Sequence, residues 1–570
     1  MRLSKVKIEN FRGIQILEVA LERDITVLVG ENNSGKTSVL EAIRFGLDII
    51  KSNKTCNFSE YDFYRNEECK TLTEVKPIVL TFTFLESEDH LWPEYVTQAI
   101  NEVIVGDEYS AIKLQLTAEY DVENAELTQN WCFLDDADNE MVGKQGMIKE
   151  LRRLRPFFFQ SALRAAKDEF HGKATYWASF LRNKDIDEAT RKDLEEELAG
   201  VNQKIVDAHA SFRDVTEEVK RISELVTVGK AEPVSVDPAP SDVYKALRYT
   251  EVNLLTGSSA KIPIRSHGEG TQSLSVLLLF SAYMKTRLKS DVDNLAEPII
   301  AIEEPEAHLH PNAIRAIWHL LEDLPGQKII ATHSGDILSE VPINKLRRLS
   351  KRSESVECKS VPDDLLTDEE LRKFNHHVRR NRGELLFARC WLLVEGETDV
   401  SVLAECADLL GIKLHRCGIR LVECSQAGGP GVFIKIADAL GIKWHLVADD
   451  DDGGQKYIDA AKSLLDGRDE GDCISKLSHP NIDILLCCNG YGQPYRDGVG
   501  PNKIGELTEP EGTPAYWKQV YKIINKARGF SKPAAALESI FLMKAQGGDG
   551  VPAEIKDILE KVTTLTGDDQ

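Results

Sequence analysis

The sequence predicts an α/β protein of two parallel-sheet domains in succession, the first interrupted by a long helical insertion. Three observations carry that expectation. An apolar strand at 25–29 runs into the glycine loop Gly30-Glu31-Asn32-Asn33-Ser34-Gly35-Lys36-Thr37, and helical spacing follows over 37–50. A matching strand at 298–302 comes only far downstream and ends in Glu303 and Glu304. From Leu385 onward apolar runs and helical patterns alternate at 390–394, 398–410, 419–422, 432–440 and 444–448. One of these runs ends at Glu395 and another at four aspartates, Asp449 to Asp452.

The first elements are legible as alternation. Leu3, Val6 and Ile8 precede Phe11-Arg12-Gly13, and Ile14, Ile16, Leu17 and Val19 follow it, which reads as strand, turn and strand. The insertion, about 165–235, contains Leu194, Leu198, Val201, Ile205, Ala208, Phe212, Val215, Val219, Ile222 and Val226 at alternating spacings of four and three. Such a heptad seam fits a dimerising coiled-coil arm, or one amphipathic helix packed on its own domain. Residues 1–345 then form the first domain and 346–384 a basic-flecked linker, whose charges are a solvated face or a nucleic-acid contact. Residues 385–570 form the second domain. In it Ile484-Leu485-Leu486-Cys487-Cys488 reads as a buried strand, and the tail after Gly547 as partly loose.

Composition narrows the function classes. With 570 residues the chain holds about two to four domains. The 70 basic and 93 acidic side chains give a net charge of −23, so nucleic acid must be met by a local basic patch or through metal. Eleven cysteines without a CxxC pair argue against a disulfide framework or a zinc site and for a reducing compartment. No apolar signal core opens the chain, and the apolar stretch near 277–280 is far short of a membrane span. A soluble cytoplasmic protein is expected, with no membrane partner.

The glycine loop has the form GxxxxGK[ST]. Its backbone N–H groups can close around phosphates, Lys36 can reach the outer phosphates, and the Thr37 hydroxyl can bind Mg²⁺. Gly30, Asn32, Asn33, Ser34, Gly35, Lys36, Thr37 and Ser38 are the expected ATP contacts. Glu303 is placed to meet the metal and Glu304 to orient or deprotonate an attacking water. Lys328-Ile329-Ile330-Ala331 delivers Thr332-His333-Ser334, and Ser266-His267-Gly268-Glu269-Gly270 precedes an apolar helix from Leu274. In this order the set resembles ABC-type ATPases of the SMC and RecF group. The resemblance makes Ser266, Gly268 and Gly270 a signature loop acting on nucleotide held by a second subunit. It makes 305–311 the D-loop, His333 the γ-phosphate switch and Gln160 the Q-loop glutamine. His267 and Glu269 depart from the usual LSGGQ.

In the second domain Glu395, Asp399, Asp449 and Asp451 are expected to converge at the carboxyl edge of a parallel sheet, where hard oxygen ligands suit Mg²⁺ or Mn²⁺. The pattern resembles a Toprim domain, a strand-ending Glu followed by DxDxxG. Gly454 lies five residues after Asp449, which selects Asp449 and Asp451; the pair Asp450 and Asp452 would put Gln455 at the glycine position. An ABC-type ATPase followed by Toprim resembles the OLD (overcoming lysogenization defect) endonucleases over essentially the whole chain, most closely at 385–398. By that resemblance Asp399 fills the second acidic position and Lys532 is a late lysine that steadies phosphate or transition state. Where relatives carry a further strand-end glutamate, this chain has Leu485-Leu486-Cys487-Cys488-Asn489-Gly490.

The resemblance implies an ATP-binding and ATP-hydrolysing, metal-dependent endonuclease acting on DNA, with RNA left open. A homodimer or larger even assembly, a role in anti-phage defence or DNA processing, and a defence-system partner follow from it. The alternatives are a non-nucleolytic SMC/RecF-like repair ATPase and a Toprim RNA-processing nuclease.

Overall fold

The protein is described by a computed structural model over residues 1–48, 56–66, 69, 71–86, 92–106, 110–161, 180, 186–212, 214, 215, 217, 238–247, 250, 252–255, 261–352, 355–380, 383–524 and 531–567. It divides into two compact units: 1–145 with 329–570, and 146–328. No helix among the described residues is long and apolar enough to cross a membrane.

The first unit opens with an antiparallel sheet ordered Ile14–Ala20, Arg2–Phe11, Ile78–Leu85, Ala111–Asp121, Glu126–Leu134. The strand–turn–strand expectation is met, with Phe11 paired to Ile14. Ile78–Leu85 buries alternate residues, as a strand with one face on a core must. The next strand, Ile25–Val29, is buried throughout, which marks it as interior to a parallel sheet. Leu346–Arg352 pairs beside it in parallel, with Arg348 opposite Val29. The segment 346–359 is therefore two paired strands rather than an open connection. Arg347 is committed here: its Nε donates to Ala20 O at 2.6 Å, and its guanidinium pairs with Glu22.

The same unit holds a further sheet, all-parallel, ordered Ile419–Glu423, Cys390–Val394, Lys443–Ala448, Ile474–Lys476. Every residue of Cys390–Val394 is fully buried. Helices Glu397–Leu409, Pro430–Leu440 and Asp452–Lys462 return between strands. The expected strand at 484–488 is instead a helix, Ile482–Leu486, running into a π-helical turn over Cys487–Tyr491. A short apolar run has no periodicity to separate buried helix from buried strand. In the tail after Gly547, Ala553–Gly567 is a helix whose Ile555, Ile558, Leu559 and Val562 enter the core with Leu392 and Val394.

In the second unit Phe157–Gln160 pairs in parallel with Ile299–Glu303, placing Gln160 opposite Ile302. Helix Glu269–Thr286 starts at Gly268, and helix Pro311–Glu322 is capped by His310, whose Nδ1 accepts from Asn312 N at 3.3 Å. Glu188–Ala208 is a 21-residue helix capped by Asp187. Its buried face centres on Val206 and on Asn202, which bonds Ala239 and Ser241. The heptad residues Leu194, Val201 and Ile205 are exposed, so the seam is not the face packed on its own unit. Val219, Ile222 and Val226 lie outside the described residues.

Candidate phosphate and metal sites

The glycine loop follows strand Ile25–Val29 and opens helix Lys36–Leu47. Asn33 and Gly35 have positive φ (64° and 99°), and the loop curls so that Ser34 N donates to Glu31 O at 3.3 Å. Lys36 is buried, and its Nζ donates to Gly30 O and Glu31 O, both at 2.8 Å. Thr37 is exposed at the helix start. Beside the loop a cavity of about 470 Å³ is lined by Arg12, Asn33, Ser38, Tyr61, Arg65 and Lys351. Arg12 Nε donates to Asp62 Oδ1 at 2.8 Å, which steers the guanidinium. The cavity brings loop residues Asn33 and Gly35 together with cations and the exposed Tyr61 ring, a combination that suits a nucleotide.

His333 is exposed just beyond strand Gln327–Ala331, after Thr332, whose N–H donates to Leu28 O at 3.3 Å. In the second unit Glu303 ends its strand and Glu304 takes the left-handed conformation (φ 46°). Both line one small cavity with Gln160, whose Oε1 is buried without a hydrogen-bond partner among the described residues. Ser266 closes a short 3-10 turn and Gly268 is the N-cap of the apolar helix. Gly270 faces the backbone of His308, where a Cβ would lie 2.5 Å from the carbonyl oxygen, and His308 pairs with Glu269 at 3.0 Å. The segments 266–270 and 305–311 thus meet within this unit.

The all-parallel sheet gathers the second set of acids. Glu395 follows Cys390–Val394, and Asp449 follows Lys443–Ala448, the adjacent strand. Asp399 is buried in the first turn of Glu397–Leu409 and accepts from Gly396 N at 2.8 Å. Asp451 caps Asp452–Lys462, accepting from Gly453 N and Gly454 N. A Cβ on Gly453 would sit 3.1 Å from Asp451 Oδ1 and 3.3 Å from Glu395 Oε1, so those two carboxylates face one another across it. A Cβ on Gly454 would lie 2.0 Å from Asp449 O, so only glycine fits there. Asp450 points elsewhere, to Lys476 at 2.6 Å, and that bond holds its carboxyl below the usual range. Asp451 therefore faces Glu395, and Asp450 turns to Lys476.

Burial and mutual repulsion make these acids hard to ionise. Burial first, then the charges of Asp399, Glu395 and Asp451, push Asp449 up to about 8. Burial, with Asp483, Glu395 and Glu423 adding to it against the Gly396 N–H, pushes Asp399 up to about 7. Glu395 is raised by burial and by Asp451, and its Oε2 is buried with no hydrogen-bond partner among the described residues. Among those residues no three Asp, Glu, His or Cys side chains close on one point tightly enough to hold an ion alone. Mg²⁺ commonly takes one or two carboxylates and keeps waters or phosphate oxygens as its other ligands. The orphaned Glu395 oxygen and the repelling neighbours fit a cation of that kind.

Lys532 opens helix Lys532–Lys544 and donates to Tyr521 Oη at 2.9 Å. Tyr521 in turn donates to Asp483 Oδ2 at 3.2 Å, and Tyr495 donates to Asp483 Oδ1 at 2.5 Å. Asp483 is buried and its charge reaches both Asp399 and Asp449. The late lysine therefore joins the acidic edge through Tyr521 and Asp483.

Residues 1–384 match the family described as "Protein of unknown function (DUF2813)". The chain belongs to that family. Residues 386–451 of this DUF2813 chain match the model of the Toprim domain of overcoming-lysogenization-defect-like proteins. It is 29% identical over 575 residues to "Uncharacterized protein YbjD" of Escherichia coli (strain K12), covering 99% of each chain. It is 24% identical to "Old nuclease" of Escherichia phage P2, covering 82% of this chain and 80% of that one. With "Endonuclease GajA" of Bacillus cereus (strain VD045) it shares 23% identity, over 85% and 80%.

Sequence reading of the DUF2813 chain missed Arg12, Tyr61 and Arg65 in the nucleotide-sized cavity, and Asp483 at the acidic edge. Arg12 was visible only as part of a turn. Asp483 directly precedes the run read as a strand and lies on the helix Ile482–Leu486 that takes its place.

Proposed function

We propose that this protein is a nucleotide-controlled, divalent-metal-dependent endonuclease. The observation that carries the reading is the buried, unpartnered Glu395 Oε2 among carboxylates whose acidity burial and repulsion have weakened. A divalent cation, Mg²⁺ or Mn²⁺, would neutralise this edge, lower the pKa of a water and offset charge on a phosphodiester. Glu395, Asp449 and Asp451 are assigned to hold it, with Asp399 backing Glu395. Lys532 supplies positive charge to the phosphate, oriented by the Tyr521–Asp483 relay.

Nucleotide control rests on the glycine loop and the motif order. Lys36 and Thr37 are assigned to the outer phosphates and their Mg²⁺, Glu303 to that metal, Glu304 to the attacking water and His333 to sensing the γ-phosphate. Ser266, Gly268 and Gly270 are assigned to nucleotide held by a second copy of the chain. Association as a homodimer or a larger even assembly is supported by the exposed Leu194, Val201 and Ile205 seam. DNA is the substrate we favour, since the relatives named nucleases share most of this chain's length. The eleven unpaired cysteines fit the reducing cytoplasm.

Supercoiled plasmid incubated with the protein and Mg²⁺ or Mn²⁺, with and without ATP and beside a structured RNA, tests the reading. Metal-dependent nicking of the plasmid is expected. Cleavage of RNA alone would move the chain to RNA processing, and cleavage of neither would leave the ATPase reading.

A further inference from the structure

One ion pair joins the glycine loop to the all-parallel sheet. Glu31, the second residue of the glycine loop, is gripped by Arg389, the residue just before strand Cys390–Val394. Arg389 Nε donates to Glu31 Oε1 at 2.6 Å and Nη2 donates to Oε2 at 2.7 Å, a two-pronged fork. The surroundings are shaped around it. Gly418 (φ 70°) lies against the arginine stem, where a Cβ would come within 2.9 Å of Arg389 Cγ. Arg389 N donates to Gly418 O and Lys443 N donates to Arg389 O, so its backbone is pinned from both neighbouring strands. Arg348, beside Val29 and buried, crosses the same boundary and donates to Ala388 O at 2.9 Å and Leu440 O at 3.1 Å. A pocket of about 70 Å³ between Glu31, Asn32, Arg348, Arg389 and Lys443 leaves the fork room to shift.

The loop end of this fork is sensitive to phosphate. Lys36 Nζ donates to the Gly30 and Glu31 carbonyls, and a triphosphate competes for that same ammonium. Drawing Lys36 outward releases the Glu31 peptide while the Glu31 carboxylate stays clamped to Arg389. At the other end, a displacement of Arg389 passes into a fully buried strand that closes at Glu395, about 20 Å away at strand rise. Packed interiors of this kind pass on small shifts and do not absorb them.

We propose that the Glu31–Arg389 fork couples nucleotide at the glycine loop to the acidic edge, making Arg389 a positioning residue for phosphodiester cleavage. The proposal deepens the nuclease reading and, for its consequence in cleavage, rests on it. Coupling of this sort is reciprocal, so a metal at the acidic edge must alter nucleotide affinity by the same factor.

Hydrogen–deuterium exchange of the full-length protein tests the coupling without requiring cleavage. Amides of 389–395 and 441–448 are followed in constant Mg²⁺, with and without saturating adenylyl imidodiphosphate. In the wild type the nucleotide is expected to change their exchange by about fivefold or more. Arg389→Lys, which keeps the charge but not the fork, and Glu31→Gln, which keeps the shape, should each lose that response at confirmed nucleotide saturation. The double variant should lose no more than either single one. In plasmid nicking by Arg389→Lys, the ratio of rates with and without nucleotide should fall toward one. A wild-type-like exchange response in both single variants overturns the proposal, as does a wild type that binds nucleotide with no change at 389–395. A wild type that shows the exchange response but never nicks overturns the nuclease reading and leaves the coupling standing.

Discussion

The glycine loop and the acidic edge belong to the same unit and are built on opposite electrostatic plans. At the loop each charge described has a counterpart: Lys36 has backbone carbonyls, Glu31 has Arg389 and Arg12 has Asp62. At the edge, charges of one sign face each other, and a buried carboxylate oxygen has no partner among the described residues. The loop is ready to exchange its internal bonds for phosphate at little net cost. The edge holds repulsion that only an added cation or protons can relieve. Variants at the two places should therefore differ in kind as well as in degree.

The largest expected effect is at the edge. Asp449→Ala with Asp451→Ala should reduce metal-dependent plasmid nicking by at least about a hundredfold, since even outer-shell partners of metal ligands are worth ten- to a hundredfold. ATP hydrolysis should persist, because the motif residues Lys36, Glu303 and Glu304 are untouched. Nicking at the wild-type rate in Mg²⁺ would remove the Toprim acids from the account.

At the nucleotide motifs Glu304→Gln should slow ATP hydrolysis about a hundredfold while nucleotide remains bound, as loss of a general base does. Lys36→Ala should instead abolish binding. Filter binding and phosphate release separate the two. Hydrolysis by Glu304→Gln at the wild-type rate would reassign the attacking-water role.

A smaller effect is expected from Tyr521→Phe. It removes the hydroxyl that links Lys532 to Asp483 while keeping the ring beneath the ammonium. Cleavage should fall about tenfold in kcat with metal affinity little changed. A change in the metal requirement alone would make Asp483 a ligand and the relay incidental.

These contrasts follow how far each region could be read from the chain. Local signatures were legible: strand, glycine loop and helix are contiguous, and Glu395 and Asp449 each end an apolar run. The spacing of Gly454 singled out Asp449 and Asp451, and the Asp449 backbone leaves no room for a Cβ at Gly454. What could not be read depends on distant partners. Arg389 and Glu31 are 358 residues apart. Asp483 lies on a five-residue helix too short to show a period, and its phenol partners come from two other helices. The exposed seam at Leu194, Val201 and Ile205 was visible as a pattern, but only packing could tell which face of the helix its own unit covers.

The smallest effect, a few degrees in Tm, gives the sharpest view of the contrast. Asp399 and Asp449 have folded-state values of about 7 and about 8, raised from 3.8. A raised acid binds more protons folded than unfolded, so its stabilising contribution is complete below about pH 4 and is lost as pH rises toward 8. A cation binds the ionised carboxylates and must displace those protons at pH 6 but far fewer at pH 8. Its affinity, and so the stabilisation it gives, grows over that interval. The Tm gain from a fixed Mg²⁺ concentration, measured against EDTA in nucleotide-free protein, should therefore be about 2–4 °C larger at pH 8 than at pH 6. His445, buried and held near 4 by that burial, acts oppositely: its contribution is lost as pH falls below about 6.5. Because it affects the Mg²⁺ and EDTA arms equally, the difference between them cancels it. Asp449→Asn should abolish the pH-dependent gain and raise the Tm in EDTA at pH 8, because it removes repulsion and leaves the buried position neutral. A gain that is flat with pH, or that survives in Asp449→Asn, would put the cation elsewhere.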